Sequence, residues 1–232
     1  MISGFGLFFG RTIVKGDGAI EFQHFLRAVN VVKPHFIIYE ISCSVSSQAV
    51  EWISRSLGFN PVVINSEIVS AHSRKKYYWV GIRDSDGSYR SAEIIKIKDK
   101  KIKLKDVIDG ETDRDKARSL AYSRINSLNS YFVQSVGNLV FKPVDTLIET
   151  GNLPIVRVEN GIAYFGDKEK PIKMADGIYI ARNLDVDECK RLQNIPESYK
   201  FPTDDIRALR LLASASTVEV LRILIFSILR NQ

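Results

Sequence analysis

The sequence predicts an α/β protein in which a partial sheet, covered by helices, is accompanied by a small β-rich module. Two runs, His35–Ile41 and Pro61–Asn65, are almost entirely apolar, which is typical of strands buried on both faces. Apolar residues at helical spacing lie between these runs. A strand, a helix and a further strand in this order form the crossover unit of an α/β sheet. Residues 160–184 place turn residues between short apolar runs, which indicates the β-rich module.

Local signals delimit the elements around this crossover. A helix with an apolar face precedes the first strand and is stopped by Pro34. Ser46 or Ser47 is placed to cap the next helix, and Gly58 is placed to end it. The aromatic run Tyr77–Ile82, "YYWVGI", is predicted as the third strand, with its aromatic side chains in the core.

Further elements are predicted downstream of that strand. Residues 92–106, "AEIIKIKDKKIKLKD", alternate apolar and basic side chains, as a half-exposed hairpin does. Arg114–Leu128 is predicted to be helical, and "VDECKRLQNI" forms a helix that ends near Pro196. The last helix, Thr217–Leu229, has an apolar stripe. The side chains of this stripe that we expect to be buried are Val218, Leu221, Leu224, Ile225 and Ile228.

The positive charge of the chain is concentrated in one region. The formal net charge is +6, and the segment Ile68–Lys105 contains eleven Lys or Arg against four acidic residues. A local basic zone on a nearly neutral protein is typical of phosphate binding. The alternative is a solvated lysine-rich hairpin with no ligand.

The remaining composition excludes several classes of protein. Two cysteines, Cys43 and Cys189, fit a reducing compartment and predict neither a disulfide framework nor a zinc site. The three histidines are far apart in the sequence, so we expect no metal. No secretory leader and no run near 18 apolar residues is recognised, which predicts an intracellular protein (cytoplasmic, nucleoid or nuclear) that does not span a membrane.

Two stretches resemble conserved strands in the second half of the DNA cytosine-5 methyltransferases. "KPHFIIYEIS" is similar to the family's strand that ends in Glu-Asn-Val, with Glu40 at the glutamate position and Ile41 in place of asparagine. "SAHSRKKYYWVGI" is similar to the Gln-x-Arg-x-Arg entry of a later strand, with His72, Arg74 and Lys76 at the three positions.

A third stretch strengthens the resemblance. "RNLDVDECKRLQNIPESYKF" (182–201) is similar to the family's Arg-x-Leu-Thr-x-x-Glu-x-x-Arg-Leu-Gln helix. The three stretches are at family spacing, and their wording is closest to that of de novo-type and phage enzymes. The resemblance implies a partial methyltransferase-type (Rossmann-like) sheet over 1–108, completed by 177–232, with a target-recognition-like module over 109–176.

The resemblance also implies roles for individual residues. The family methylates a cytosine that has swung out of the duplex. Glu40 is then expected to bind the Watson–Crick edge of this base and to favour protonation at ring N3. Arg74 and Lys76 are expected to hold the phosphate and the base carbonyl oxygen. The lysines expected to contact double-stranded DNA without specifying its sequence are Lys75, Lys96, Lys98, Lys101 and Lys103.

Several family features are missing from these 232 residues. No glycine-rich loop for the methyl donor S-adenosylmethionine is present, and the best alignment places Ile2 where the nucleophilic cysteine belongs. Ala213-Ser214 replaces the Gly-Asn that closes the donor pocket. We therefore expect the isolated chain to be inactive and to bind no donor unless a partner supplies that site.

Three interpretations follow. In the first, the chain is one subunit of a split DNA methyltransferase and contributes the base- and DNA-binding residues. In the second, it is a non-catalytic pseudo-methyltransferase that binds DNA or regulates an active enzyme. In the third, it is a basic α/β domain unrelated to methylation.

A partner chain is expected from the strand pairing. In the family, the glutamate strand pairs with the strand that leads into the Pro-Cys-Gln loop, and that neighbour is not recognised in this sequence. His35–Ile41 is then an open edge, which invites pairing with a second polypeptide, either a donor-half subunit or another copy of this chain. The N-terminal Gly6–Phe9 is a third, less favoured candidate, because its glycines weaken it as a strand.

Overall fold

The computed structural model describes residues 7–11, 18–118, 120, 128–134, 137–144 and 154–230. The chain divides into two compact units. Unit 1 comprises residues 1–65, 75–97 and 220–232, and unit 2 comprises residues 66–74 and 98–219. The domain bounds predicted from the resemblance stay a prediction.

Unit 1 is built on a mixed sheet. Its strands are β1 (Leu7–Arg11), β2 (Phe36–Ser42), β3 (Val62–Asn65), β4 (Lys75–Arg83) and β5 (Tyr89–Ser91). The order is β1-β2-β4-β3, and β5 also pairs with β4. β4 is antiparallel to β2, β3 and β5, whereas β1 and β2 are parallel. β4 therefore lies between the two strands of the predicted crossover, as the resemblance implies.

The expectation that β2 is an open edge is wrong. β1 pairs with β2, from Leu7 opposite Phe36 to Arg11 opposite Glu40. The least favoured of the three candidates, the N-terminal segment, is thus the neighbour of β2. The glycines that argue against it lie largely outside the paired residues, since only Gly10 falls within β1. Ile2 lies outside the described residues.

Two helices pack against the sheet and form the apolar core of unit 1 together with its strands. They are α1 (Gly18–Val32) and α2 (Ser47–Leu57). The Ser46 side chain caps α2 by accepting a hydrogen bond from the Ala49 N–H, and Gly58 ends it in the left-handed conformation (φ 85°). The side chains of this core include Phe22, Phe25, Ile37, Tyr39, Ile53 and Trp79. Trp79 is fully buried, so the aromatics of β4 belong to the core, as predicted.

Unit 2 contains a second sheet, which is entirely antiparallel. Its strands are β6 (Leu139–Pro143), β7 (Ile155–Glu159), β8 (Ile162–Phe165), β9 (Lys168–Pro171) and β10 (Gly177–Asn183), in the order β6-β10-β7-β8-β9. Helix α3 (Leu128–Gln134) packs Tyr131 and Phe132 against this sheet. The predicted β-rich module is therefore present.

Two predicted elements are wrong. Residues 92–103 form no hairpin, because their backbone groups bond to other parts of the chain. Ala92 donates to the Val80 carbonyl, Ile95 donates to the Ser227 hydroxyl, and Lys100 donates to the Ile68 carbonyl. Residues 114–118 are irregular rather than helical, since Ala117 exchanges backbone hydrogen bonds with Ala71 and Ser73. Residues 121–127 of that predicted helix lie outside the described residues.

Three further helices follow in the chain: α4 (Val186–Leu192), α5 (Asp205–Ser214) and α6 (Val218–Arg230). The buried stripe of α6 differs from the prediction, because it consists of Val220, Leu224, Ser227 and Ile228. Val218 and Ile225 are 39% and 38% exposed instead. The helix is apolar nearly all round, so periodicity alone could not select its buried face.

The stretch Asp205–Arg230 is long and apolar enough to cross a membrane by length and composition, which was not predicted from the sequence. It consists of α5 and α6, which are separated by the non-helical residues 215–217. Leu212, Val220, Leu224 and Ile228 are buried within the protein. In all, 33% of the most apolar window of this stretch is buried, and one stretch of this kind is weak evidence for a membrane span.

Candidate functional site

Glu40 and Lys76 form a buried ion pair in unit 1. The Glu40 side chain is completely buried, and its Oε1 lies 3.9 Å from Nζ of Lys76, whose side chain is 11% exposed. The pair arises from strand register, because Glu40 lies opposite Tyr78 and Lys76 lies opposite Ser42, one pleat further along the same face. An acid and a base are thus held together inside the protein.

The two strands place this pair on the face opposite the helices. Ile37, Tyr39 and Ile41 alternate with Glu40 along β2 and pack into the core with α1 and α2. Lys76 and Tyr78 are offset in the same way from Tyr77 and Trp79. The alternation therefore directs Glu40 and Lys76 away from the helix-covered face.

Arg74, the third residue predicted for base contact, belongs to unit 2. It is 6% exposed, and its Nη1 donates a hydrogen bond to the Ala213 carbonyl at 3.1 Å. Ala213 is in the last turn of α5, so the guanidinium stabilises a helix carboxyl end. This carbonyl belongs to the Ala213-Ser214 pair that replaces the family's Gly-Asn.

His72 is also bonded to a helix carboxyl end. Its ring is completely buried, and Nδ1 lies 2.9 Å from the carbonyl oxygen of Leu192, the last residue of α4. A carbonyl only accepts, so Nδ1 carries the proton and donates it. Burial lowers the pKa of His72 to about 4, and the positive charges of Arg74 and Lys116 act in the same direction. The imidazole is therefore neutral at pH 7.

Gln193 completes this hydrogen-bond network. Its Nε2 donates to the Leu212 carbonyl at 2.9 Å, and its Oε1 accepts from the Thr217 hydroxyl at 3.2 Å. The Gln193 carbonyl accepts from the Val218 N–H, the first residue of α6. His72, Arg74 and Gln193, all from the resembling stretches, thus join the ends of α4, α5 and α6. We call these three residues the helix-end network.

The glutamate of the third resembling stretch has a structural role. Glu188 is fully buried and receives two hydrogen bonds from Arg182, at 2.7 and 2.8 Å. It also accepts from the backbone N–H groups of Asp109 and Asp185. The carboxylates of Asp109, Asp185 and Glu188 are close enough to hold a metal ion. However, Arg182 already compensates the charge of Glu188, so we assign no metal.

The predicted DNA-binding lysines fall into two groups. Lys75, Lys96, Lys98 and Lys101 are exposed. Lys103 differs, because its Nζ lies 3.2 Å from an oxygen of Asp115. The neighbouring Lys100 forms an ion pair of 2.7 Å with Glu219. Lys103 is exposed as well, so the four lysines that form no ion pair in the described part of the chain are the better candidates for phosphate contact.

Cys43 is half-buried. Its backbone N–H donates to the Lys75 carbonyl at 3.4 Å. Burial raises the pKa of its thiol, although the nearby charges of Lys75 and Lys76 oppose this shift. A raised pKa disfavours the thiolate, so the environment does not activate Cys43 as a nucleophile.

That this chain alone binds no S-adenosylmethionine stays a prediction. In the described ranges the sheet of unit 1 ends at β1, beyond which the resemblance places further donor-binding strands. The 232-residue sequence also has no glycine-rich donor loop. We therefore derive no methyl-transfer step from these residues alone.

Comparison with known proteins shows the fold. No protein-family model and no curated protein matches the sequence. The S. pombe Dnmt2 methyltransferase matches with a TM-score of 0.57 and 15% identity, over 97% of this chain and 77% of that chain. A protein assigned as a DNA modification methyltransferase of an E. coli prophage has a TM-score of 0.55 and 12% identity, over 97% and 78%.

A third match agrees with these two. The Entamoeba histolytica methyltransferase EhMeth has a TM-score of 0.52 and 13% identity, over 96% of this chain and 76% of that chain. The chain therefore has a methyltransferase-like α/β fold, and the predicted fold class is confirmed. At these identities the likeness shows the fold alone.

Proposed function

We propose that this chain provides the base- and DNA-binding side of a DNA cytosine-5 methyltransferase, while a second polypeptide provides the donor site and the nucleophile. The observation that carries the proposal is the buried Glu40–Lys76 pair on a methyltransferase-like fold. One of the structural neighbours is assigned as a DNA modification methyltransferase, which supports DNA as the partner.

The pair suits the edge of a flipped cytosine. A buried carboxyl group can hydrogen-bond the exocyclic amine and ring N3, which makes C6 electrophilic. An ammonium group beside it can hold the O2 carbonyl. Electrostatic interactions of this kind are stronger where water is excluded, and Glu40 is completely buried. Glu40 would thus position and polarise the base, and Lys76 would orient it.

The nucleophile must come from elsewhere. β1 takes the place of the strand that, by the resemblance, leads into the Pro-Cys-Gln loop. The residues that follow it, 12–17, read "TIVKGD" and contain no cysteine. Neither this placement of β1 nor the alignment that puts Ile2 at the position of the nucleophilic cysteine supplies a thiol. Attack on C6 is therefore assigned to the second polypeptide.

A non-catalytic relative that binds DNA or regulates an active enzyme is the second candidate. The contact between Arg74 and the Ala213 carbonyl favours it, because this contact stabilises the altered segment that replaces the family's donor-closing residues. Ile41 in place of asparagine favours it as well.

The first experiment measures what the isolated chain binds. We expect no methyl transfer and no calorimetric binding of S-adenosylmethionine, but salt-dependent binding of duplex DNA. The Lys98→Ala/Lys101→Ala variant should make the salt slope shallower by about 2, because each phosphate contact contributes about 0.9. Lys103→Ala is the control with a smaller expected change, since Lys103 is paired with Asp115. Stoichiometric donor binding by the chain alone would contradict the proposal.

A second experiment distinguishes the two candidates. A cytosine opposite an abasic site is unpaired and costs less to flip. A base-binding subunit should prefer a duplex with this cytosine over one with an unpaired thymine. Glu40→Gln should abolish the preference and leave the salt slope unchanged. Equal binding of both duplexes by the unmodified chain would favour the non-catalytic relative.

A further inference from the structure

A polar cavity of about 600 Å³ lies in unit 2, within the size range of ligand sites. Its wall combines basic and hydroxyl side chains with three carboxylates and two apolar residues. These residues are Lys105, Thr112, Arg114 and Lys173, then Glu111, Asp113 and Asp115, and finally Pro171 and Ile172. Lys105 ends the basic segment Ile68–Lys105 that the sequence predicts to bind phosphate, whereas the other residues were not predicted to contact DNA. They come from the irregular segment before α3 and from the region around β9.

Two lysines of this wall form no ion pair in the described part of the chain. Asp113 forms a two-point ion pair with Arg114, with nitrogen–oxygen distances of 2.9 and 3.0 Å. Asp115 is paired with Lys103. Among the residues that the structure describes, Lys105 and Lys173 are exposed and in no ion pair, and Glu111 is the one carboxylate of the wall left to oppose them. When Lys103, the partner of Asp115, is counted with the lining residues, four basic side chains face three carboxylates, which is an excess of one positive charge.

Arg114 is held rigidly in this wall. Besides Asp113, it donates to the Gly137 carbonyl at 3.2 Å, and its guanidinium lies 5.4 Å from the centre of the Tyr131 ring. Lys170 packs against the same ring at 3.7 Å. Burial would raise the pKa of Asp113, but hydrogen bonds from Arg114 and Tyr131, together with the positive charges of Arg114 and Lys170, lower it overall. The ion pair is thus maintained at neutral pH, and an incoming anion would meet Lys105 and Lys173.

Thr112 provides an unused hydrogen-bonding group. Its hydroxyl oxygen is buried and has no hydrogen-bond partner among the residues that the structure describes. A buried hydroxyl without a partner is destabilising, so such groups are usually paired with a ligand or water. Rotation to another staggered χ1 conformation would allow the hydroxyl to donate to an anion in the cavity.

We propose that this cavity binds a phosphodiester group of a nucleic-acid strand, with Lys105 and Lys173 as charge partners and Thr112 as hydrogen-bond donor. The apolar floor formed by Pro171 and Ile172 suits the adjoining sugar. The proposal rests on the proposed DNA binding and adds a contact point in the β-rich unit. An inorganic phosphate offers the same charge without the sugar, so the two ligands can be compared directly.

The test uses the full chain with matched variants. Lys105→Ala/Lys173→Ala should make the salt slope of duplex DNA binding shallower by about 2. The control, Lys142→Ala/Lys200→Ala, removes two exposed lysines of the same unit that do not line the cavity and should leave the slope unchanged. Thr112→Val keeps the side-chain shape and should weaken binding about tenfold, the loss expected for a hydrogen bond to a charged group.

A second readout separates this site from the proposed function. Thr112 and Gly161 both line the cavity. In NMR titrations, a dinucleotide with a single phosphodiester should shift the amide signals of these two residues more than inorganic phosphate does. Dinucleotide shifts without duplex binding would support the cavity and contradict the proposed DNA function. Duplex binding with an unchanged slope in Lys105→Ala/Lys173→Ala and no dinucleotide shifts would overturn the cavity proposal. Equal shifts with inorganic phosphate would overturn the assignment to a nucleic-acid strand.

Discussion

The two ends of the Ser70–Trp79 segment are held by different chemistry, although they form one continuous motif in the sequence. In unit 1, Lys76 is held by the buried carboxylate of Glu40. In unit 2, His72 and Arg74 are held by backbone carbonyls at the ends of α4 and α5. A resemblance in spacing therefore does not assign one role to every residue that it covers. The Lys76 end is suited to a charged ligand, whereas the end with His72 and Arg74 stabilises helix ends.

The largest expected effect comes from breaking the ion pair. Lys76→Met leaves the Glu40 carboxylate buried without this cation and should lower the free energy of unfolding by about 3–5 kcal/mol. The Glu40→Gln/Lys76→Met variant should recover most of the loss, because both charges of the pair are then removed. Urea titration with circular dichroism measures both values.

An exposed pair provides the control for this comparison. Arg55 and Glu51 lie one turn apart on α2, with side chains 78% and 61% exposed. Arg55→Ala should cost less than about 1 kcal/mol, because exposed pairs contribute little. If Lys76→Met and Arg55→Ala lowered the free energy of unfolding equally, burial of the Glu40–Lys76 pair would have no energetic consequence.

The next effect is a pH dependence from the helix-end network. The pKa of His72 is lowered to about 4 in the folded protein, from an ordinary value of 6.5. Below pH 6.5 the unfolded chain takes up a proton that the folded protein does not, so stability falls as the pH decreases from 6.5 to 4. The loss should be about 3 kcal/mol.

Two histidine substitutions test the assignment of this pH dependence. His72→Gln should flatten the stability curve between pH 6.5 and 4, because the titrating group is removed. His24→Gln changes an exposed histidine of α1 and should leave the curve as in the unmodified chain. If His72→Gln retains the full pH dependence, the assignment to His72 is wrong.

The smallest expected effect is local to α5. Arg74→Met removes the donor to the Ala213 carbonyl and should cost about 1–3 kcal/mol. The loss should appear as faster hydrogen exchange at the Ala215 amide, which bonds to the last turn of α5. Arg83→Met removes a comparable but exposed bond to the Lys33 carbonyl and should leave the Ala215 amide unchanged. Unchanged exchange in Arg74→Met would remove Arg74 from the helix-end network.

Local signals were sufficient for the elements whose ends depend on neighbouring residues. The hydroxyl of Ser46 and the left-handed Gly58 delimit α2 as predicted, because both act on backbone groups within one turn. β2 and β4 were also predicted, since a short apolar run bounded by turn residues has few alternatives. The proximity of Glu40 and Lys76 followed from the resemblance and from the pairing of these strands.

Long-range partners account for the errors. Residues 92–103 alternate like a hairpin, but Ile95 and Lys100 bond to Ser227 and Ile68 instead of to each other. The role of His72 depends on a carbonyl 120 residues away, and that of Arg74 on one 139 residues away. The sequence around His72 and Arg74 does not indicate which distant carbonyl groups these side chains contact.

The composition of unit 1 has a consequence for the order of folding during synthesis. Its sheet is complete once residue 97 has been made, but α6 belongs largely to the same unit and is made roughly 120 residues later. At typical translation rates this interval is roughly 6–25 s. During that time the Ile95 N–H lacks its acceptor, the Ser227 hydroxyl of α6, and the apolar side chains Val220, Leu224 and Ile228 are not yet available to pack. A nascent chain of this protein therefore depends on its last helix to close the unit that was started first.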